Sequence, residues 1–267
     1  MYCLSEIFIY PVKSLGGISL KESDITSRGF KYDRRWLLID EAGRFITQRT
    51  YPQMALICVE LREKSLEFRH KKNDASLSIN IENGNNDKGD VVIWNDKVIA
   101  NYTDKEMDEW FSDMLKVKCR LVYMPEESKR LVDKKYAYGN EIISFADGYP
   151  FLIIGQSSLD DLNSRLDTKL PMNRFRPNLV FTGGASFDED RIKSFMIDKI
   201  IFYPVKPCAR CVVTTVDQES GVKNEEPLKT LASYRTVGNK VMFGQNLLHK
   251  GSGTIRIGDE LKILEWK

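Results

Sequence analysis

Apolar positions in the first part of the chain alternate with polar ones more often than they recur at helical spacing. "SEIFIYPV" and "GGISLKESDI" carry this partial alternation, which predicts strands. "RRWLLIDEAGRFITQR" predicts a hairpin with Gly43 in its turn, and "VVIWNDKVIANY" a second hairpin turning at Asn95-Asp96. Between them, "HKKNDASLSINIENGNNDKGD" reads as two exposed loops around one strand, because Asn, Gly and Asp dominate it. The period changes at Asp104 to Lys116. There Met107, Trp110, Phe111, Met114 and Leu115 share one helical face, and Thr103 and Glu106 have the spacing of a capping box.

The polar stretch "PEESKRLVDKKYAYGNE" reads as a connector or a short helix over a pocket. It marks the candidate boundary between domains 1–125 and 126–267. Beyond it, "YPFLIIG", "RPNLVFTGG", "MIDKIIFYPV" and "CVVTTVD" read as strands, the last closed by a turn at Gln218 to Gly221. "QSSLDDLNSRL" reads as a helix capped by Ser157, with Leu159, Leu162 and Leu166 facing inward. "EEPLKTLASYR" is a short helix, and "GTIRIGDELKILEW" a terminal hairpin turning at Gly258-Asp259. Short, numerous strands and few helices predict a β-rich α+β fold of barrel or sandwich type.

Composition narrows the class. The 267 residues are 42% hydrophobic and 29% charged, enough for one large domain or two small ones. A net charge of +2 gives no polyanion-attracting field, so nucleic acid is not an expected partner. No apolar run approaches the length of a membrane span, and Met1 to Gly17 lacks the pattern of a secretion signal. The expectation is a cytoplasmic protein without a membrane partner.

Five cysteines are present, and only Cys208 and Cys211 are close in sequence. Structural zinc commonly takes two close pairs, and no second pair exists. A thioredoxin-like dithiol opens a helix, whereas Val212-Val213-Thr214-Thr215-Val216 is β-branched. Two small buried apolar side chains would be the plain reading. Arg210 beside the pair instead favours thiolate, the form a soft metal takes as ligand.

"FIYPVKSLGG", "DRRWLLID", "DGYPFLIIGQSSLDDLNSRL", "FRPNLVF" and "CARCVVTTVDQESG" occur in this order over nearly the whole chain. Together they resemble the MOSC family with its N-terminal β-barrel domain, and within it the amidoxime-reducing proteins. The resemblance implies a β-barrel-like N-terminal domain followed by a MOSC β-barrel with a few helices. It also implies a molybdenum cofactor (Mo-molybdopterin) in the cleft between them, with Cys211 as the protein's thiolate ligand and catalytic residue and Cys208 as a neighbour. By the same resemblance Lys13, Ser14, Arg34, Arg176 and Asn178 bind the cofactor, with Arg49, Asp147 and Gly148 beside them. Gly148-Tyr149 stand where relatives carry small hydroxyl residues, which leaves backbone N–H donation at this loop.

The implied activity is reduction of small N-hydroxylated molecules. No cysteine follows Cys211, so a plant-type cluster cannot be built there. Electrons are then expected from a separate protein of iron–sulfur, cytochrome or flavoprotein type. A persulfide carrier and a non-catalytic cofactor-binding or storage protein are the alternatives.

Overall fold

A computed structural model describes residues 1–81 and 87–267; most of the second loop expected around the strand at 76–80 falls on 82–86, outside the described residues. Among the described residues, four α-helices lie against a strand-rich body, a β-rich α+β fold as the alternation predicts.

The largest sheet has nine strands. Eight follow the order Ile18–Leu20, Cys3–Ile9, Leu179–Thr182, Phe151–Gly155, Lys240–Lys250, Ile200–Ala209, Ile192–Ile197 and Lys262–Trp266, and Thr236–Val237 pairs with Lys240–Lys250. Only Phe151–Gly155 and Leu179–Thr182 run parallel, and the helix Gln156–Asn163 lies in the crossover that such a pair requires. The sheet curls into a half-barrel. Leu4 N donates to Asp259 O at 2.9 Å, Gly258 N to Leu4 O at 2.8 Å and Leu261 N to Tyr2 O at 2.9 Å, joining the second strand to the segment that enters the last. Leu4, Ile7, Phe151, Phe181, Phe195 and Phe202 fill its core.

The sheets do not follow chain order. Cys3–Ile9 pairs with Leu179–Thr182, and Glu22–Thr26 pairs with Gly253–Arg256. A four-stranded sheet of Trp36–Ile39, Arg120–Tyr123, Asp96–Tyr102 and Lys88–Ile93 separates two further cores. Trp36 and Leu38 face Phe68, Met107, Phe111 and Leu115; Leu37 and Ile39 face Val91, Ile93 and Phe145. Burial on both faces explains the uninterrupted apolar run at 36–39.

Several local expectations are corrected. The second hairpin turns on Trp94-Asn95, because Ile93 pairs with Asp96. The first keeps Gly43 at φ 72°, but its second arm forms no strand, only isolated bridges from Phe45 to Ile39 and from Arg44 to Val92. The connector after residue 125 forms no helix; Arg130–Leu131 pairs with Ile142–Ile143. Thr103 donates to Leu121 O at 3.0 Å and not to its own helix, and Ser157 caps nothing because Gly155 holds the N-cap. The terminal "hairpin" is two strands in different sheets, since Gly253–Arg256 finds Glu22–Thr26 and Lys262–Trp266 finds Ile192–Ile197. Val212–Thr215 is a 3₁₀ turn and not a strand. Thr214 and Thr215 hydroxyls donate to the carbonyls of Cys211 and Val212 at 3.0 and 2.8 Å, satisfying the turn locally.

One buried carboxyl sets a pH dependence. Glu189, 1% exposed, accepts from Ser158 Oγ at 2.8 Å and Gly155 N at 3.3 Å. Burial pushes its pKa up to about 7. An unfolded chain releases this proton near pH 4, so the fold gains stability below that pH and loses it as pH rises through 7, on the order of 3 kcal/mol in all. Glu189→Gln will remove this slope. Its melting temperature relative to the unaltered chain will rise between pH 5 and pH 8; a constant difference would refute the assignment.

Candidate functional site

The loop after the first strand starts the site. Tyr10 is buried, and its ring lies between two guanidiniums, Arg34 at 4.3 Å and Arg176 at 4.2 Å. Gly17 permits this, because a Cβ there would stand 2.5 Å from Tyr10 Cε1. Arg34 Nη1 donates to both oxygens of buried Asp33, at 2.9 and 2.7 Å, and to Asn178 Oδ1 at 3.1 Å. Arg34 Nη2 donates to Arg176 O at 3.3 Å. Arg176 Nη1 donates to Leu15 O at 2.8 Å, while its Nη2 is buried without a partner. Burial raises the Asp33 pKa against the pull of Arg34, and pushes Arg176 down to about 10.

Ser14, Arg34 and Arg176 have φ of 68°, 49° and 56°. Left-handed backbone costs a side-chain-bearing residue roughly 1–2 kcal/mol. Such strain collects at functional sites, and here it falls on three residues that the motifs single out.

Lys13 adds a second cluster. Its buried Nζ donates to Phe145 O at 2.9 Å and to Asp147 Oδ1 at 2.5 Å. Trp94 Nε1 donates to the same Asp147 oxygen at 3.1 Å, and Arg49 lies 4.3 Å from the Trp94 ring. Burial lowers the Lys13 pKa, and Asp147 partly restores it. The Asp147 side chain is open to solvent, and Lys13, Trp94 and Arg49 hold its carboxyl below the ordinary range. Arg130 donates to Ala146 O, to Ser144 O at 3.2 Å and to Asp147 O at 3.3 Å, fixing this loop. A Cβ on Gly148 would meet open space.

The cysteine pair straddles the end of the strand Ile200–Ala209. Arg210 Nη1 donates to Cys208 Sγ at 3.0 Å and Nη2 to Phe175 O at 2.5 Å; Nε is buried without a partner. The arginine therefore serves Cys208, and Cys211 stands exposed beside it. The loop after Cys211 is clasped from the N-terminal half. Gln48 Nε2 donates to Ser14 O at 2.7 Å, and Gln218 Nε2 donates to Gln48 Oε1 at 3.0 Å and to Val216 O at 2.9 Å. Lys71 Nζ donates to Gln218 O at 2.6 Å, and Lys223 Nζ to Arg49 O at 2.6 Å. Asp217 opens the turn, accepting from Ser220 N at 2.8 Å.

Arg34, Arg176 and Asn178 thus gather around Tyr10, and Lys13, Asp147 and Arg49 around Trp94. Phe145 joins the two, its O accepting from Lys13 and its N donating to Arg34 O at 2.9 Å. Ser14 O accepts from Gln48, Gly148 follows Asp147 and Cys211 follows Arg210. Asn178 is largely committed, with Oδ1 accepting from Leu152 N and Nδ2 donating to Phe8 O. Sequence reasoning missed Tyr10, Asp33, Gln48, Trp94 and Gln218. Only Asp33, beside Arg34, carried a local signal. Among the described residues no three of His, Cys, Asp and Glu gather to hold a metal.

The MOSC N-terminal beta barrel domain matches residues 1–118, and the MOSC domain matches 140–262. The chain is 31% identical to mitochondrial amidoxime-reducing component 1 of Mus musculus, over 98% of this chain and 82% of that protein. The chain belongs to the MOSC-domain family. The MOSC protein is also 31% identical to mitochondrial amidoxime reducing component 2 of Homo sapiens, over 96% of this chain and 82% of the relative. It is 33% identical to molybdenum cofactor sulfurase of Oryza sativa subsp. japonica, where 90% of the MOSC protein covers 32% of the longer relative. No helix among its described residues is long and apolar enough to cross a membrane.

Proposed function

We propose that this MOSC protein binds a molybdenum cofactor and reduces small N-hydroxylated compounds to the corresponding N–H compounds, with electrons from a separate redox protein. The observation that carries the reading is the donor set around Tyr10. Arg34 and Arg176 flank one ring, and the buried atoms Tyr10 Oη, Arg176 Nη2 and Arg210 Nε lack partners. A buried unpaired donor costs about 1–3 kcal/mol, so an anionic, acceptor-rich ligand fits this cluster. Lys13 adds a point charge for a phosphate. With no protein cluster of metal ligands among the described residues, a metal bound at Cys211 brings its other donors with it, as a dithiolene cofactor does.

When bound, the cofactor supplies two-electron chemistry at its metal. The chain's own residues do the rest. Cys211 offers an exposed thiolate ligand. Arg34, Arg176 and Lys13 hold the anionic part. The Gln48–Gln218 pair keeps the loop after Cys211 against the Ser14 loop, so ligand and anchor stay in register.

The test is purification from a host that makes the cofactor, followed by metal analysis and turnover of N-hydroxybenzamidine with an artificial electron donor. Stoichiometric molybdenum with amidine formation is expected. A molybdenum-loaded protein that forms no amidine would sink the reductase reading. The rice relative named as a sulfurase favours a second reading, persulfide transfer at Cys211. Mass spectrometry would detect that persulfide in metal-free protein.

A further inference from the structure

Trp94 is built in a way its turn does not require. Ile93 pairs with Asp96, so Trp94 and Asn95 form a two-residue hairpin loop. Such loops take residues tolerant of positive φ, with Asn and Gly preferred. Trp94 has φ 55°, an unfavourable setting for a bulky side chain, and remains 44% exposed. Strain of this kind clusters at functional sites.

The ring is also held in place. Its N–H is fixed on Asp147 at 3.1 Å, Arg49 covers it at 4.3 Å and Phe45 lies at 5.2 Å with a 57° tilt. The hairpin itself is tied down, because Phe45 N donates to Val92 O at 3.2 Å and Val92 N to Gly43 O at 2.8 Å. A pre-oriented, partly exposed indole next to the Lys13–Asp147 pair is a stacking surface at the rim of the proposed site.

We propose that Trp94 is a specificity residue, stacking its indole on the planar head of aryl N-hydroxylated substrates and favouring them over non-aromatic ones; this rests on the reductase reading above. The ring and its N–H can be separated by substitution. Trp94→Phe keeps a stacking face and loses the donation to Asp147, while Trp94→Ala loses both.

The experiment compares KM of the loaded enzyme for N-hydroxybenzamidine and for N-hydroxyurea. Trp94→Ala should raise the ratio of KM for the aryl compound to KM for N-hydroxyurea about tenfold. Trp94→Phe should leave that ratio within about threefold of the unaltered enzyme's. Equal losses in the two variants would assign Trp94 to holding Asp147 and overturn the stacking role, as would no loss in either. Calorimetric titration of N-hydroxybenzamidine into the same proteins reads binding without turnover. If the unaltered enzyme reduces neither compound, the reductase reading fails. The stacking proposal then stands only if Trp94→Ala still weakens aryl binding about tenfold, and is overturned if binding is equal or absent.

Discussion

Cys211→Ala protein made in a cofactor-producing host will retain almost no molybdenum and will not reduce N-hydroxybenzamidine, whereas Cys208→Ala protein will keep both properties. The asymmetry follows from the surroundings of the two thiols. Cys208 is half-buried beside the core that contains Phe175 and Phe243, and its Sγ is engaged by Arg210. Cys211 is exposed at the mouth of the 3₁₀ turn. Loss of a partner outside the ligand shell typically weakens metal binding 10–100-fold, so loss of a direct thiolate ligand should cost at least about 100-fold. Circular dichroism and metal analysis on the same samples separate misfolding from failure to load. Equal molybdenum in both variants would remove Cys211 from the site.

Asp33→Ala will destabilise the fold by about 3–5 kcal/mol and lower the melting temperature by about 10 °C. Asp33 is 2% exposed and forms a two-oxygen pair with Arg34; it also accepts from Tyr10 N at 2.8 Å. Its removal leaves Arg34 and Arg176 facing one ring with no buried counter-charge and orphans a backbone donor. Asp33→Asn keeps an acceptor for Tyr10 N and loses the charge, so its loss should be intermediate. Thermal unfolding in metal-free protein checks this, and an unchanged melting temperature would contradict it.

The strand Cys3–Ile9 was legible from partial alternation and Ile200–Ala209 from its apolar run, although "MIDKIIFYPV" reads as one strand and spans the turn between Ile192–Ile197 and Ile200–Ala209. Partner choice was not legible. The pattern in "GTIRIGDELKILEW" fits a hairpin, but Glu22–Thr26 captures one arm through contacts more than two hundred residues away in the chain. The β-branched run after Cys211 misled for the opposite reason, because threonine hydroxyls satisfied the backbone within a single turn. The charged residues of the site stood out through their motifs. Tyr10, Gln48, Gln218 and Trp94 did not, since their meaning lies in neighbours brought from distant segments. Nor did composition hint that Ser14, Arg34 and Arg176 hold left-handed backbone.

The pairing of Cys3–Ile9 with Leu179–Thr182 bears on how the chain is made. The early strand leaves the ribosome long before its partner. At 5–20 residues per second the wait is about 10–35 s, and Glu22–Thr26 waits longer for Gly253–Arg256. During synthesis Leu4, Ile7 and Ile9 have no sheet neighbour on that side to cover them. The half-barrel is therefore completed only after its late strands have emerged, and its first strands wait longest for their partners.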